Sequence, residues 1–266
     1  MGLFSSLNTA ISGLSTSSLA TEVTGNNIAN ANTEGYTRQR AVIVNAVPLD
    51  ANPGQIGTGS KVVQITRIYD AYSYESYRKA STNLAFSDFQ KSTLEELSSY
   101  FPDIDNEGIM KDLTAYFDSW QALASTPTSG SAKTALAQKA QTLAESLQNT
   151  RGQVYDLQKS IDEQLQSMVN EVNLLGTKIA EVNRKIGAVE ANGTDHANDL
   201  RDERDRLEMS LSELIGPTVN KSQITSDTAN GSSEVNYNSY VALVSGFNII
   251  DGGNTHEIVM QTSVSS

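Results

Sequence analysis

Leu143–Val189 reads LAESLQNTRGQVYDLQKSIDEQLQSMVNEVNLLGTKIAEVNRKIGAV, and its apolar positions decide the fold. Leu143, Leu147, Thr150, Val154, Leu157 and Ile161 alternate steps of four and three. From Leu165 a second register runs through Met168, Val172, Leu175, Ile179, Val182, Ile186 and Val189. That spacing turns one narrow helical stripe toward a partner helix. Between the registers, Leu157 to Ile161 to Leu165 are steps of four and four, a stutter that locally relaxes a coiled-coil supercoil. The predicted helix covers about Ser131 to Glu190, and roughly sixty residues at 1.5 Å each reach about 90 Å. No compact domain of this size has that diameter, so a rod is expected. Gly152, Gly176 and Gly187 each cost about 1 kcal/mol relative to alanine and are expected at close helix approaches or slight bends.

Working toward the N-terminus, Glu107–Ala124 predicts a helix with Ile109, Leu113, Tyr116, Phe117, Trp120 and Leu123 on one side, stopped by Pro127 and Gly130. Trp120, the single tryptophan, is expected in a buried helix contact. Asp70–Phe101 predicts another helix, with Leu84, Phe86, Phe89, Leu94 and Leu97 on its apolar face and Pro102 at its end. The β-branched segments Ala41–Val47 and Lys61–Tyr69 flank a Gly/Pro loop and read as a hairpin. Its Gly57-Thr58-Gly59 lacks the spacing of a phosphate cradle.

Toward the C-terminus, Ala191–Thr194 turns the chain. Asp195 or Asn198 is expected to cap a helix carrying Leu200, Leu207, Leu211 and Leu214, closed by Gly216-Pro217. Thr218–Ile224, Tyr240–Val244, Phe247–Ile250 and Glu257–Met260 read as strands around a polar, turn-rich Thr225–Asn238. The fold class is therefore mainly α, an elongated helical bundle or coiled coil, with a small β-hairpin near the N-terminus and a β region at the C-terminal end. We divide it into residues 1–40, a terminal helix and turn; 41–216, hairpin plus helical bundle; and 217–266, the start of a β domain.

The first forty residues are unlike the rest. Leu3, Leu7, Ala10, Leu14, Ser17, Thr21, Thr24 and Ile28 step by four and three, but the stripe fades from leucine to Ser, Thr and Ala. It is too weak to hold a helix alone. Four asparagines follow within seven residues (Asn26, Asn27, Asn30, Asn32), bracketed by Gly25 and Gly35. Asparagine tolerates left-handed backbone and bonds its own main chain, so Asn26–Gly35 is read as a tight, specifically folded turn.

Composition excludes more than it identifies. The net charge of −12 argues against a general nucleic-acid binder and against docking on an anionic membrane. For the tyrosines Tyr72, Tyr74 and Tyr77 beside Arg67 and Arg78, the acidic total favours core or subunit contact over base stacking. The absence of cysteine excludes disulfides and thiolate metal sites. No run approaches the roughly 18 apolar residues of a membrane span, and Met1–Ala20 lacks the pattern of a secretory signal. The acidic run Asp199, Asp202, Glu203, Asp205, Glu208 has no metal-ligand spacing. Asp202 with Arg206 and Arg201 with Asp205 are four apart, which predicts charge pairing on a solvated helix face. His196 and His256 have no neighbours spaced for zinc or a triad. No active site or cofactor is nominated, although a pocket of convergent titratable groups would reopen the enzyme reading.

Ser12–Leu14 (SGL) followed by NNIANANTEGYTRQR (Asn26–Arg40) resembles the N-terminal motif of the flagellar axial proteins. GTGSKVVQITRIYDAYSYESYRKAS (Gly57–Ser81), GIMKDLTAYFDSWQALASTPTS (Gly108–Ser129), VNLLGTKIAEVNRKI (Val172–Ile186), ANDLRDERDRLEMSLSELIG (Ala197–Gly216) and VALVSGFNIIDGG (Val241–Gly253) are similar, in order, to the hook-associated protein 1 family. The resemblance implies a structural, non-enzymatic subunit, exported by the flagellar type III apparatus without a cleaved leader. It would polymerise as a ring at the hook tip, between hook protein and the next junction protein, outside the cell. Leu3, Leu7, Ile11 and Leu14 would then make helix contacts in the inner layer. Asn26, Asn27, Ile28, Asn30, Asn32, Gly35, Tyr36 and Arg38 would complete the assembly interface at the turn between layers. Family members continue past the equivalent of Ser266 to a second terminal helix, so a fragment or a truncated variant is expected. The rivals are a rod or hook protein, whose β-rich domains begin sooner, and a cytoplasmic coiled-coil adaptor of a secretion system.

Overall fold

The two-register stretch forms one uninterrupted helix, α4 (Gly130–Val189), in a computed structural model that describes residues 3–52, 54–102, 108–192, 196–222 and 239–261. Before it come α1 (Leu3–Ala29), the strands β1 (Gln39–Asn45), β2 (Leu49–Ala51), β3 (Gly54–Ile56) and β4 (Ser60–Arg67), then α2 (Ala71–Ser99) and α3 (Ile109–Ser125). After it come a 3-10 turn (Glu190–Asn192), α5 (Asn198–Ile215), and the strands β5 (Thr218–Ser222), β6 (Ser239–Val244), β7 (Phe247–Asp251) and β8 (Asn254–Thr255). The mainly α class read from the sequence, with a hairpin near the N-terminus and strands toward the C-terminal end, is the one observed. Two compact units result, residues Met1–Thr82 with Glu171–Ser266, and residues Asn83–Asn170.

In the first unit the second register of α4 does what its spacing predicts. Val172, Leu175 and Ile179 are buried against Leu211 of α5 and against Tyr240, Ala242, Ile249 and Ile250 of the sheet. Val182 and Ile186 continue the stripe against Ala197 and Leu200. The sheet is an antiparallel meander in the order β5-β6-β7-β8. Gly176 faces this sheet, where a β-carbon would stand in ordinary contact with Ile250 and Thr255 at 3.8 and 3.9 Å. The N-terminal hairpin pairs β1 with β4 from Gln39↔Arg67 to Asn45↔Ser60, with a register shift between Val42 and Ile43. A second small pair, β2 with β3, occupies its loop, where turn composition had hidden it.

The start of α2 and the end of α5 follow their residue chemistry, with an exception at the other end of α5. The Asp70 carboxylate accepts the amides of Tyr72 (3.0 Å) and Ser73 (3.2 Å) and so caps α2. Gly216 ends α5 in the left-handed region (φ 54°), its amide donating to Ser212, and Pro217 prevents continuation. The exception is the start of α5. Asn198 caps nothing; its amide donates instead to the Ile65 carbonyl at 2.8 Å and the Gln39 side chain at 3.3 Å, and Asp195 lies outside the described residues.

Four further expectations are corrected. Glu257–Met260 is not a strand, because the Asn173 side chain on α4 takes over the Ile258 backbone, accepting from its amide and donating to its carbonyl, each at 2.9 Å. Trp120, in the second unit, is 48 % exposed and meets Tyr116 of its own helix edge-on. Leu165 at the stutter is exposed, since a second step of four rotates it off the face that buries Leu157. Of the two roles expected for Gly152, a close approach is ruled out, because a β-carbon there would meet nothing within 4 Å. Thr225–Asn238 lies outside the described residues.

Candidate assembly interface

α1 has two faces of opposite character. Thr9, Ser12, Thr16, Leu19, Ala20, Val23 and Asn27 turn inward, and α1 packs across β1 and β4. These are mostly small or polar residues, so helix and hairpin approach closely: Thr16 donates to the Ser60 carbonyl at 3.1 Å, and Gly59 (φ 111°) sits where any β-carbon would overlap Ser12. The other face is bare. Leu7, Ile11 and Leu14 are 53, 54 and 73 % exposed, and Phe4, at 80 %, adds a position that the leucine spacing had missed. Ile28 at 73 % extends the face, as do the exposed Ala10, Ser17, Thr21 and Thr24. Leu3 begins the helix, and its side chain lies outside the described residues.

The asparagine segment is ordered as expected, but α1 runs into it. Asn26 and Asn27 are helical, and the turn proper starts after Ala29. Asn30 donates to the Asn26 side chain (2.8 Å) and carbonyl (3.0 Å), and accepts from the Thr33 hydroxyl at 3.1 Å. Asn27 ties the turn shut: its Oδ1 accepts from the Tyr36 hydroxyl (2.9 Å) and the Gln39 amide (2.8 Å), while its Nδ2 donates to the Gln39 carbonyl (2.8 Å). Gly35 (φ 73°) lies against the Arg206 side chain, which would overlap a β-carbon. Asn32 and the Arg38 side chain are exposed, and Arg38 holds the hairpin base through its carbonyl, which accepts the Ile68 amide at 2.8 Å. The structure thus joins Asn26, Asn27, Asn30, Gly35 and Tyr36 in one turn and leaves Leu7, Ile11, Leu14, Ile28, Asn32 and Arg38 facing outward.

The acidic run of α5 is where sequence reasoning failed. Asp202, Asp205 and Glu208 are not on a solvated face; they are 5, 7 and 1 % exposed. Their partners come from far along the chain rather than from one turn away. Arg67 of β4 reaches Asp202 (2.6 Å) and Asp205 (2.9 Å). Lys221 of β5 reaches Asp205 and Glu208, both at 2.8 Å. Arg78 of α2, itself buried, lies 3.6 Å from Glu208 and donates to Ser212 and the Pro217 carbonyl. Arg201 pairs with Glu190 at 2.7 Å instead of with Asp205. Burial works against the Asp205 charge, but Lys221 and Arg67 more than offset it and hold the carboxyl below its ordinary value. For Glu208 burial prevails over Lys221 and pushes the carboxyl up.

A cavity of about 400 Å³ beside this network is lined by Arg67, Tyr69, Tyr74, Arg204, Glu208 and Lys221, among others. It collects titratable groups, yet Arg67 is already paired with Asp202 and Asp205, and Glu208 with Lys221. Burial together with Asp205 and Glu208 pushes both phenols up, the opposite of nucleophile activation. Among the described residues no cluster of His, Cys, Asp or Glu has metal-site geometry. No helix among them is long and apolar enough to cross a membrane.

The chain is thus mainly helical, with an exposed apolar stripe on α1 beside an asparagine-locked turn. Its residues 7–37 match the family model described as flagella basal body rod protein, and residues 94–265 match that of the flagellar hook-associated protein FlgK helical domain. The second match takes in more than half of the chain, which therefore belongs to the FlgK hook-associated protein family. The chain is 32 % identical over 222 residues to flagellar hook-associated protein 1 of Bacillus subtilis, covering 80 % of this chain and 43 % of that protein. Against the Salmonella typhimurium protein of the same name the figures are 29 % over 214 residues, 80 % and 38 %. The chain thus spans about two fifths of the length of these curated relatives. Among solved structures, the flagellar hook junction protein FlgK from Burkholderia pseudomallei shares the fold over 70 % of this chain and 30 % of its own, with a TM-score of 0.55 at 23 % identity.

Proposed function

We propose that this chain is a structural, non-catalytic subunit of the bacterial flagellum that assembles at the junction between hook and filament. The observation that carries the reading is the bare stripe Phe4–Leu7–Ile11–Leu14, spaced for a partner helix and not covered by the chain's own inner packing. The named relatives supply the setting. On this reading residues 1–40 act as the assembly segment, residues 41–216 as the body of the subunit and residues 217–266 as the start of an outer domain. Copies of the chain pack side by side in a ring, with hook protein on one side and the next junction protein on the other. The chain reaches that place through the flagellar type III export apparatus, without cleavage of a leader and with no need of cofactor, nucleic acid or membrane.

The test is complementation in motile cells that lack their own hook-associated protein 1. The full chain, carrying a short internal epitope, should leave the cell when export is active and label the hook tip. Retention in the cytoplasm of actively exporting cells would instead favour a cytoplasmic adaptor.

A further inference from the structure

Among the described residues, the hydrophobic core of the first unit is drawn from residues 172–258. Among the described residues before Arg78, the single buried side chain is the Thr16 hydroxyl-bearing one, and no apolar side chain there is buried. Residues 3–68 nevertheless dock on α5, and they do so by polar contacts. Asp202 receives both the Arg67 guanidinium (2.6 Å) and the Thr37 amide (3.0 Å). Asp205 takes a second nitrogen contact from Arg67, Asp199 accepts from the Gln39 side chain at 3.0 Å, and Asn198 donates to the Ile65 carbonyl.

We infer that residues 3–68 form a separable module, latched onto α5 by the Arg67–Asp202–Asp205 cluster and able to release while the α4–α5–sheet core stays folded. Hydrophobic burial is what makes elements unfold together; a module that shares none of the core opens on its own free-energy scale. Buried ion pairs give the latch direction more than strength: with both partners present they roughly break even, and with one removed an unpaired charge is left inside. Asp202 is thus a positioning residue. With Asp205, Asp199 and Asn198 it orients β1 and β4, on which α1 rides, through a carboxylate 165 residues from the amide it holds. This holds whatever the stripe binds.

Hydrogen exchange on the full chain, resolved by peptide, tests the latch with Arg67→Met, which keeps an unbranched apolar stem, and Asp202→Asn, which keeps an acceptor for the Thr37 amide but loses the charge. In the unaltered chain the amides of β1 and β4 should already exchange faster than those of residues 172–186. Arg67→Met should speed exchange in β1 and β4 by roughly 100-fold, and Asp202→Asn should do so by less, with residues 172–186 and 207–214 unchanged in both. Loss of protection in both regions together, failure of Arg67→Met to fold included, would show one cooperative structure and overturn the inference. Unchanged exchange in β1 and β4 would overturn it equally.

Discussion

Asn27 and Gln39 hold one another as paired strand residues do: the Asn27 side-chain amide donates to the Gln39 carbonyl and its oxygen accepts the Gln39 amide, each at 2.8 Å. One side chain thereby stands in for a strand neighbour at the point where the chain leaves α1 and enters β1. Asn27→Asp keeps the size and removes the donor, leaving a carboxylate against the Gln39 carbonyl. It should destabilise the module by about 1–3 kcal/mol, read as faster exchange of the β1 amides. Unaltered exchange would show that the bond pair is dispensable.

Gly59 is held at φ 111° with Ser12 and the Thr9 carbonyl where a side chain would start. Gly59→Ala should therefore cost about 1–3 kcal/mol through backbone strain alone, and Ser12→Gly should relieve the overlap without relieving the strain. In a double-mutant cycle monitored by chemical denaturation, Ser12→Gly is expected to recover part of the loss and never all of it.

The helices were legible because their signal is local. The four-three rhythm of Val172–Ile186 reports burial directly, and Gly216-Pro217 marks the end of α5 by backbone chemistry alone. The acidic residues of α5 misled for the opposite reason. Arg201 and Arg206 stand at ideal intrahelical distance in the sequence, whereas the partners of Asp202 and Asp205 are Arg67 and Lys221, and no local rule ranks a distant cation over a near one. Phe4 and Trp120 show the matching limit for apolar residues: spacing tells which face they share, not what covers it. The face of α1 was legible as a weak stripe awaiting a partner helix, and the place of Phe4 on it was not. The borders of the two compact units fall inside α2 and α4, where composition does not change.

The ion network makes stability depend on pH with two opposed signs. Asp205 and Glu190 are held below their ordinary values, so what they contribute is present above the unfolded pKa, 3.8 and 4.5 respectively, and is lost as pH falls through the folded value. In both cases burial alone would act the other way, and the cations Lys221 with Arg67, and Arg201, outweigh it. Glu208 is raised, so the folded state takes up its proton first and stability declines as pH rises from 4.5 through its folded value. Urea midpoints across the acid range should pass through a maximum and then fall steeply below about pH 4. Glu208→Gln should abolish the decline on the alkaline side of the maximum and keep the acid limb; a profile unchanged by that substitution would remove Glu208 from the account.

Trp120 is a natural probe of the second unit, being the only tryptophan and half exposed. Its fluorescence in the isolated chain should be quenched readily by acrylamide, and Phe117→Ser, at a position 60 % exposed, should shift stability by no more than about 0.5 kcal/mol. A blue-shifted, quencher-resistant emission from the monomer would mean that this face is covered within the chain.

The central claim is that the bare stripe of α1 is an assembly surface and not a fold element. Leu7→Lys with Leu14→Lys in the full chain tests it most directly, measured as incorporation at the hook tip of exporting cells together with thermal melting of the purified protein. The account predicts unchanged melting, normal appearance in the culture medium and no labelled hook tips, because both side chains are exposed in the free chain and desolvated only against a partner helix. Hook tips labelled at the unaltered level would contradict it.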